Sequence, residues 1–323
     1  MTKSPTEFNI ETYLNSLLED TSIIDISNKK ITYIPALDRF YNLKYLHCEN
    51  NKLTSLPEIP YSLQRLYCSN NLLTSLPELT DSLQVLYCET NQLTSLPTLN
   101  SSLQRLNCNN NLLTSLPELS SSLQILQCEN NKLISLPKLN SSLQRLYCDH
   151  NQLTNLPKFN SSLKGLYCSN NQLIRLPELN DSLRVLYCEH NKLTHFPKLN
   201  SSLRGLYCSN NQLTQLPKLN DSLERLICSK NKLTSLPELN ISLYYLICSN
   251  NQLTILPKLN MSLLELNYYN NPLPHELFTF THTRNNHIVL NNQKRDEINN
   301  TINGIHSLNE TLNVSFTNYR LHV

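Results

Sequence analysis

Eleven cysteines stand at intervals of twenty residues, from Cys48, Cys68 and Cys88 onward to Cys248, and none lies elsewhere. A fixed period of this length marks a stack of small supersecondary units, each too short to bury its own apolar face. The spacing therefore sets the architecture before any motif is read. With Leu63–Ser82 as the type unit, the frame is LxxLxCxxNxLxxLPxLxxS. Leucine recurs from Leu43 to Leu263 and from Leu46 to Leu266, and asparagine from Asn51 to Asn271.

Leu66, Tyr67 and Cys68 follow the period-2 alternation of a strand. Leu66 and Cys68 are expected to point inward, with Arg65, Tyr67 and Ser69 outward. Successive strands would pair in parallel about 4.8 Å apart. Pro77 and its equivalents remove a backbone donor from the return path, which predicts extended segments and turns rather than helices. Asn71 carries an acceptor and two donors, enough to serve backbone groups of its own turn and the neighbouring one. Asn70 suits a left-handed turn residue in a chain with only three glycines. Asn151→Ala is then expected to cost about 1–3 kcal/mol by stranding buried turn groups, and more than Asn271→Ala near the end.

The frame resembles the leucine-rich repeat, with Cys in the place of a third strand-face Leu, and implies that family's asparagine ladder. The expected fold is a curved solenoid with a parallel, concave β-sheet and a mostly extended convex side. Residues 21–274 would form about 13 units. The first is degenerate, with Ile24, Ile26, Ile31 and Ile34 in the apolar places and Lys29 where Asn should stand. Residues 1–20 would supply a helical cap through Phe8, Tyr13, Leu14, Leu17 and Leu18, starting after Pro5. Residues 275–323 are read as a C-terminal cap and polar tail with weakly ordered helix or strand.

The cysteines fit poorly with redox or metal chemistry. Their alternation buries them, where free Cys acts as a small hydrophobe, and a linear thiol column does not converge tetrahedrally as zinc requires. His150 and His190 share a repeat position but lie two units apart. No Gly-rich phosphate loop, HExxH or GxSxG occurs, so neither enzyme activity nor a cofactor is expected. A formal charge of +2 over 323 residues gives no reason to invoke nucleic acid. The opening MTKSPTEFNIE shows no secretory signal, and no apolar run is long enough for a membrane span. These features point to a cytoplasmic protein. Eight sequons on the repeat, such as Asn100-Ser101-Ser102, are read as turn residues.

The outward columns of the concave face carry the candidate partner site. One holds Tyr67, Tyr87, Tyr147, Tyr167, Tyr187 and Tyr207. The preceding column holds Arg105, Arg145 and Arg225, with Gly165 and Gly205 between. The following column holds Glu89, Glu129, Asp149 and Glu189. Tyrosine with interspersed charge suits a recognition surface, although cross-strand aromatics also stabilise sheets.

The repeats are also similar to those of secreted bacterial effectors with a C-terminal ubiquitin-ligase domain. No Cys follows Cys248, so that activity does not carry over. The Asn/Ile/Lys-rich, Gly-poor composition and Cys-bearing repeats look like leucine-rich repeat proteins of mimivirus-type giant viruses. That resemblance implies a host-cytoplasmic or virion-associated viral protein. The expected function is non-enzymatic binding of a protein partner. The alternatives are a structural scaffold or a substrate adaptor for a host modifying enzyme. Partner identity and oligomeric state are not legible in the sequence.

Overall fold

The computed structural model describes residues 8–278 and 288–319; Pro5 and the parts of the tail at 279–287 and 320–323 lie outside the described residues. The chain forms two compact units, Met1–Gln172 and Leu173–Val323.

The first unit opens with helix α1 (Ile10–Asn15), capped by Asn9, whose Oδ1 accepts from Thr12 N–H at 2.8 Å. Its inward residues are Ile10 and Leu14. Leu17 and Leu18 fall beyond the helix end, and Leu18 is exposed. Six residues form less than two turns, so the apolar face expected through Leu18 is shorter than the sequence suggests. Eight three-residue strands follow: Ile23–Asp25 (β1), Tyr45–His47 (β2), Arg65–Tyr67 (β3), Val85–Tyr87 (β4), Arg105–Asn107 (β5), Ile125–Gln127 (β6), Arg145–Tyr147 (β7) and Gly165–Tyr167 (β8). They pair in parallel, each residue opposite its repeat equivalent, as in Leu66↔Leu86 and Tyr67↔Tyr87.

The register repeats because every unit buries the same side chains. Leu63, Leu66, Cys68 and Leu73 have no exposed surface. All eleven cysteines are buried, free thiols. In Cys68 the N–H and S–H groups share an acceptor: the N–H donates to Tyr87 O at 2.8 Å and Sγ to the same oxygen at 3.4 Å. A thiol thus fills the core like an apolar residue and adds a weak donor that Leu lacks.

The chain turns after each strand through a residue with positive φ. This residue is Asn70 at 53°, but also Thr90 at 58°, His150 at 54° and Lys230 at 51°. Asparagine is the common occupant because it tolerates the left-handed region, whereas β-branched Thr90 is strained there. The next residue forms the ladder. Asn71 Nδ2 donates to Cys48 O of the preceding repeat at 3.0 Å and to Cys68 O of its own at 3.1 Å. Its Oδ1 accepts from Leu53 N–H at 3.0 Å. Asn51 serves the degenerate first repeat, accepting from Lys29 N at 3.0 Å and Ile31 N at 3.2 Å.

The sequon asparagines build a second ladder on the turns that enter their strands. Asn160 Nδ2 donates to Asn140 O at 2.5 Å and Leu143 O at 3.1 Å, while its Oδ1 accepts from Ser162 N–H at 2.8 Å. This amide nitrogen is the atom a glycan would need, and the fold already uses it.

The second unit repeats the pattern in Val185–Tyr187 (β9), Gly205–Tyr207 (β10), Arg225–Ile227 (β11), Tyr245–Ile247 (β12) and Glu265–Asn267 (β13), all parallel. Asn220 continues the entry-turn ladder, donating to Asn200 O at 2.6 Å and Leu203 O at 2.9 Å. No repeat in either unit carries a helix on its return path.

The end of this unit adds two helices and a strand to the repeats. After α2 (His275–Phe278), Ile288–Val289 (β14) pairs antiparallel with β13, and Asn292–Tyr319 forms the long helix α3. Its Asn-rich sequence has little intrinsic helix propensity. Packing of Ile298 and Ile302, both buried, and two polar anchors hold its first half. Arg295 Nη2 donates to Leu263 O at 2.8 Å, and Asn299 pairs with both Leu259 N–H (2.8 Å) and Leu259 O (3.1 Å). Tyr268 fills the last cysteine place, fully buried, and its hydroxyl donates to Leu277 O at 2.6 Å.

Candidate functional site

The middle strand residue of each repeat is buried and its two neighbours face the open side of the sheet, so the Tyr and Arg columns are set by strand alternation. The Tyr column is half-buried. In the first unit, His47 stacks on Tyr67 at 4.5 Å, Tyr67 meets Tyr87 edge-on at 5.4 Å, and Tyr147 stacks on Tyr167 at 4.3 Å and 13°. Asn107 and Gln127 separate Tyr87 from Tyr147. In the second unit, Tyr187 stacks on Tyr207 at 3.9 Å and 9°.

A glycine lies beside the second ring of each stacked tyrosine pair. A Cβ on Gly165 would lie 3.3 Å from Tyr167 Cε2, and one on Gly205 would lie 3.0 Å from Tyr207 Cε2. Each ring therefore leans back over the glycine two residues earlier in its own strand. Glycine weakens a strand unless something must approach its backbone closely; here that is the tyrosine ring.

Arg105, Arg145 and Arg225 are exposed along the strand entry. Arg225 Nε donates to Tyr244 OH at 2.5 Å, and its guanidinium lies over the Tyr244 ring at 5.3 Å. Hydrogen bonds to Tyr244 and then Tyr207 push its pKa further up. Arg65 stands over Tyr45 at 5.3 Å.

The acidic column sits deeper than the Arg column. Glu89, Glu129, Asp149 and Glu189 are half-buried, and Ser69, expected outward, is buried. The strand ends two residues earlier and the left-handed turn draws this position in. Asp149 Oδ1 accepts from Ser169 N–H at 2.7 Å. Burial, and secondarily the neighbouring Glu129, raise its pKa to about 6. Glu129 N–H donates to Asn109 Oδ1 at 2.7 Å, and its carboxylate accepts from Asn109 Nδ2 at 2.5 Å. In the first unit, bases thus border the strand entry, acids border the exit, and tyrosines lie between.

Sequence reasoning left out His47, Tyr45, Tyr244 and Arg65 as site members. Counting by twenty puts His47 in the Tyr column and Tyr45 and Arg65 in the Arg column. Tyr244 precedes its strand, so alternation gives no signal for it. Among the described residues, no three His, Cys, Asp or Glu side chains gather as metal donors, and no helix is long and apolar enough to cross a membrane.

The chain is similar to the leucine-rich effector protein YopM from Yersinia pestis. The two share 31% identity over 85% of this chain and 92% of that one, with a TM-score of 0.62. It belongs to the leucine-rich repeat proteins. YopM from Yersinia enterocolitica matches at 32% identity and a TM-score of 0.67, covering 80% of this chain, which spans 60% of the length of that one. The functional domain of InlJ from Listeria monocytogenes, described as including a cysteine ladder, matches at 28% identity. That match covers 79% of this chain and 69% of InlJ, with a TM-score of 0.54. A scan against protein-family models and a search of curated proteins find no match. These named bacterial structures carry nothing on a giant-virus origin.

Proposed function

We propose that the chain is a non-enzymatic protein-binding module that holds its partner on the open face of the sheet. In the first unit the Tyr147–Tyr167 pair is the contact centre, with Tyr67 and Tyr87 in the same column, Arg105 and Arg145 on one side and Glu89, Glu129 and Asp149 on the other. In the second unit the Tyr187–Tyr207 pair takes that role, with Arg225 on one side and Glu189 on the other. The observation that carries this reading is the glycine beneath Tyr167 and beneath Tyr207. Sheet stability alone favours β-branched or aromatic residues at such places. Glycine forgoes that gain and holds a rigid, flat, half-exposed aromatic surface, which binding interfaces favour. The effector description of YopM supports a binding role by analogy. Thiol burial speaks against cysteine catalysis: desolvation raises the pKa of Cys108 and Cys248 to about 12, away from the thiolate.

We also read residues 1–20 and 275–323 as caps, supported by buried Ile10 and Leu14 at one end and β14 with Arg295 at the other. The test is affinity capture from expressing cells with the wild type and with Tyr147, Tyr167, Tyr187 and Tyr207 all changed to Ser. Selective loss of one captured protein by the folded variant is expected; an unchanged capture profile would remove the tyrosines from the account.

A further inference from the structure

The entry turns of the first repeats form a groove of about 970 Å3 that differs from its equivalents elsewhere in the same chain. Its aromatic and charged lining is Tyr41, Tyr61, Asp38, Glu58, Glu78 and Asp81. Tyr61 is 88% exposed and Tyr41 68%, and all four carboxylates are exposed. Ile59, Leu79, Pro60 and Pro77 also line it, and no Lys or Arg does among the described residues.

The corresponding groove in the second unit serves as an internal control. There the places of Tyr41, Tyr61 and Asp81 hold Asp181, Ser201 and Asp221, and Lys198 and Lys218 face Glu178. The usual ladder asparagines, Asn200 and Asn220, are replaced by Pro60 and Thr80 in the first groove. A groove at this position is therefore a property of the repeat. The exposed aromatics are particular to the first repeats, where they coincide with one-signed charge and two lost asparagines; Ser120 is the further place without the entry asparagine. In a chain of nearly identical units, three columns departing together at one place are not accounted for by folding the repeat. Two large exposed rings beside like charges also add nothing to the core.

We propose that this groove is a second docking site, for an arginine-bearing segment of a partner protein. Four unopposed carboxylates select a cation. Exposed tyrosine faces beside them favour the planar guanidinium, which stacks on a ring while forking two hydrogen bonds to a carboxylate. Half-buried Leu79 and Pro77 offer apolar surface for the aliphatic stem of such a side chain. This proposal is independent of the sheet-face reading, since none of its residues lies in the Tyr, Arg or acidic columns of that face.

The test uses the full chain and a dye-labelled peptide of Arg-Pro repeats, followed by fluorescence polarisation at physiological salt, with a Lys-Pro peptide alongside. The substitutions come from the chain's own repeats, so the fold accepts them: Ser holds the Tyr61 place at Ser201, and Lys holds the Glu58 place at Lys198. The Arg-Pro peptide is expected to bind more tightly than the Lys-Pro peptide. Tyr41→Ser with Tyr61→Ser should weaken it about tenfold, as loss of two exposed cation–π contacts implies. Glu58→Lys with Glu78→Lys should abolish binding, and the quadruple Tyr-to-Ser variant of the sheet face should bind as the wild type does. No binding by the wild type, or equal binding by both groove variants, overturns the proposal. So does self-association in sedimentation that the groove variants abolish, which would assign the groove to a second copy of the chain.

Discussion

Replacing Asn151 by Ala isolates one rung of the asparagine ladder. In the folded chain, Asn151 Nδ2 donates to Cys128 O at 3.0 Å, Asp149 O at 3.1 Å and Cys148 O at 3.2 Å, and Oδ1 accepts from Leu133 N–H at 3.0 Å. The side chain is 8% exposed and Leu133 wholly buried. The substitution strands the Leu133 N–H and removes a donor from the carbonyl of the preceding repeat. Each buried polar group left unpaired costs about 1–3 kcal/mol. A water entering the vacated polar space recovers part of that, so the expected loss is about 2–3 kcal/mol. Asn271 makes the equivalent set, to Cys248 O, Tyr268 O, Tyr269 O and from Leu253 N–H, and is equally buried. The two substitutions should therefore cost alike. This revises the expectation that the terminal rung is worth less: each asparagine reaches back to the preceding repeat, so the last one has its full complement. Urea denaturation followed by circular dichroism measures the loss, and amide hydrogen exchange at Leu133 localises it. A loss under about 0.5 kcal/mol with unchanged Leu133 exchange would refute the ladder as a source of stability.

Gly205→Ala should push Tyr207 off its place and break the stack with Tyr187, shrinking the near-ultraviolet tyrosine dichroism while the far-ultraviolet spectrum stays; an unchanged near-ultraviolet signal would show that glycine is not what keeps the ring flat. Alkaline pH should destabilise the chain through its thiols. Burial holds Cys128 and Cys148 protonated well above the ordinary value of 9.0, so the unfolded state releases protons first. Their contribution is full below pH 9 and falls as pH rises beyond it. Melting temperature should drop between pH 8.5 and 10.5, roughly, and less steeply for Cys128→Ala with Cys148→Ala; parallel slopes would contradict the burial argument.

The repeat frame was legible because identical units repeat identical physics. Leu66 and Cys68 alternate inward as their spacing dictates, Pro77 keeps the return path free of helix, and the twenty-residue count locates the Tyr and Arg columns. Signals weakened where a residue's neighbours in space are not its neighbours in the period. Ser69 alternates outward on paper, but the turn after the strand buries it. Helix α3 has poor local propensity and forms where Arg295 and Asn299 anchor it to backbone groups of the last repeats.

The sequence by itself determined the solenoid, its strand register, its buried thiol column and the asparagine rungs, since each follows from a period and a side-chain inventory. The tertiary structure decided which outward residues act together. It paired Tyr147 with Tyr167 and Tyr187 with Tyr207 over glycines, and turned the sequon asparagines into a second ladder. It also brought Tyr41 and Tyr61 into a groove with four carboxylates. Those groupings depend on ring orientation and on distances across repeats, which a period specifies only in outline.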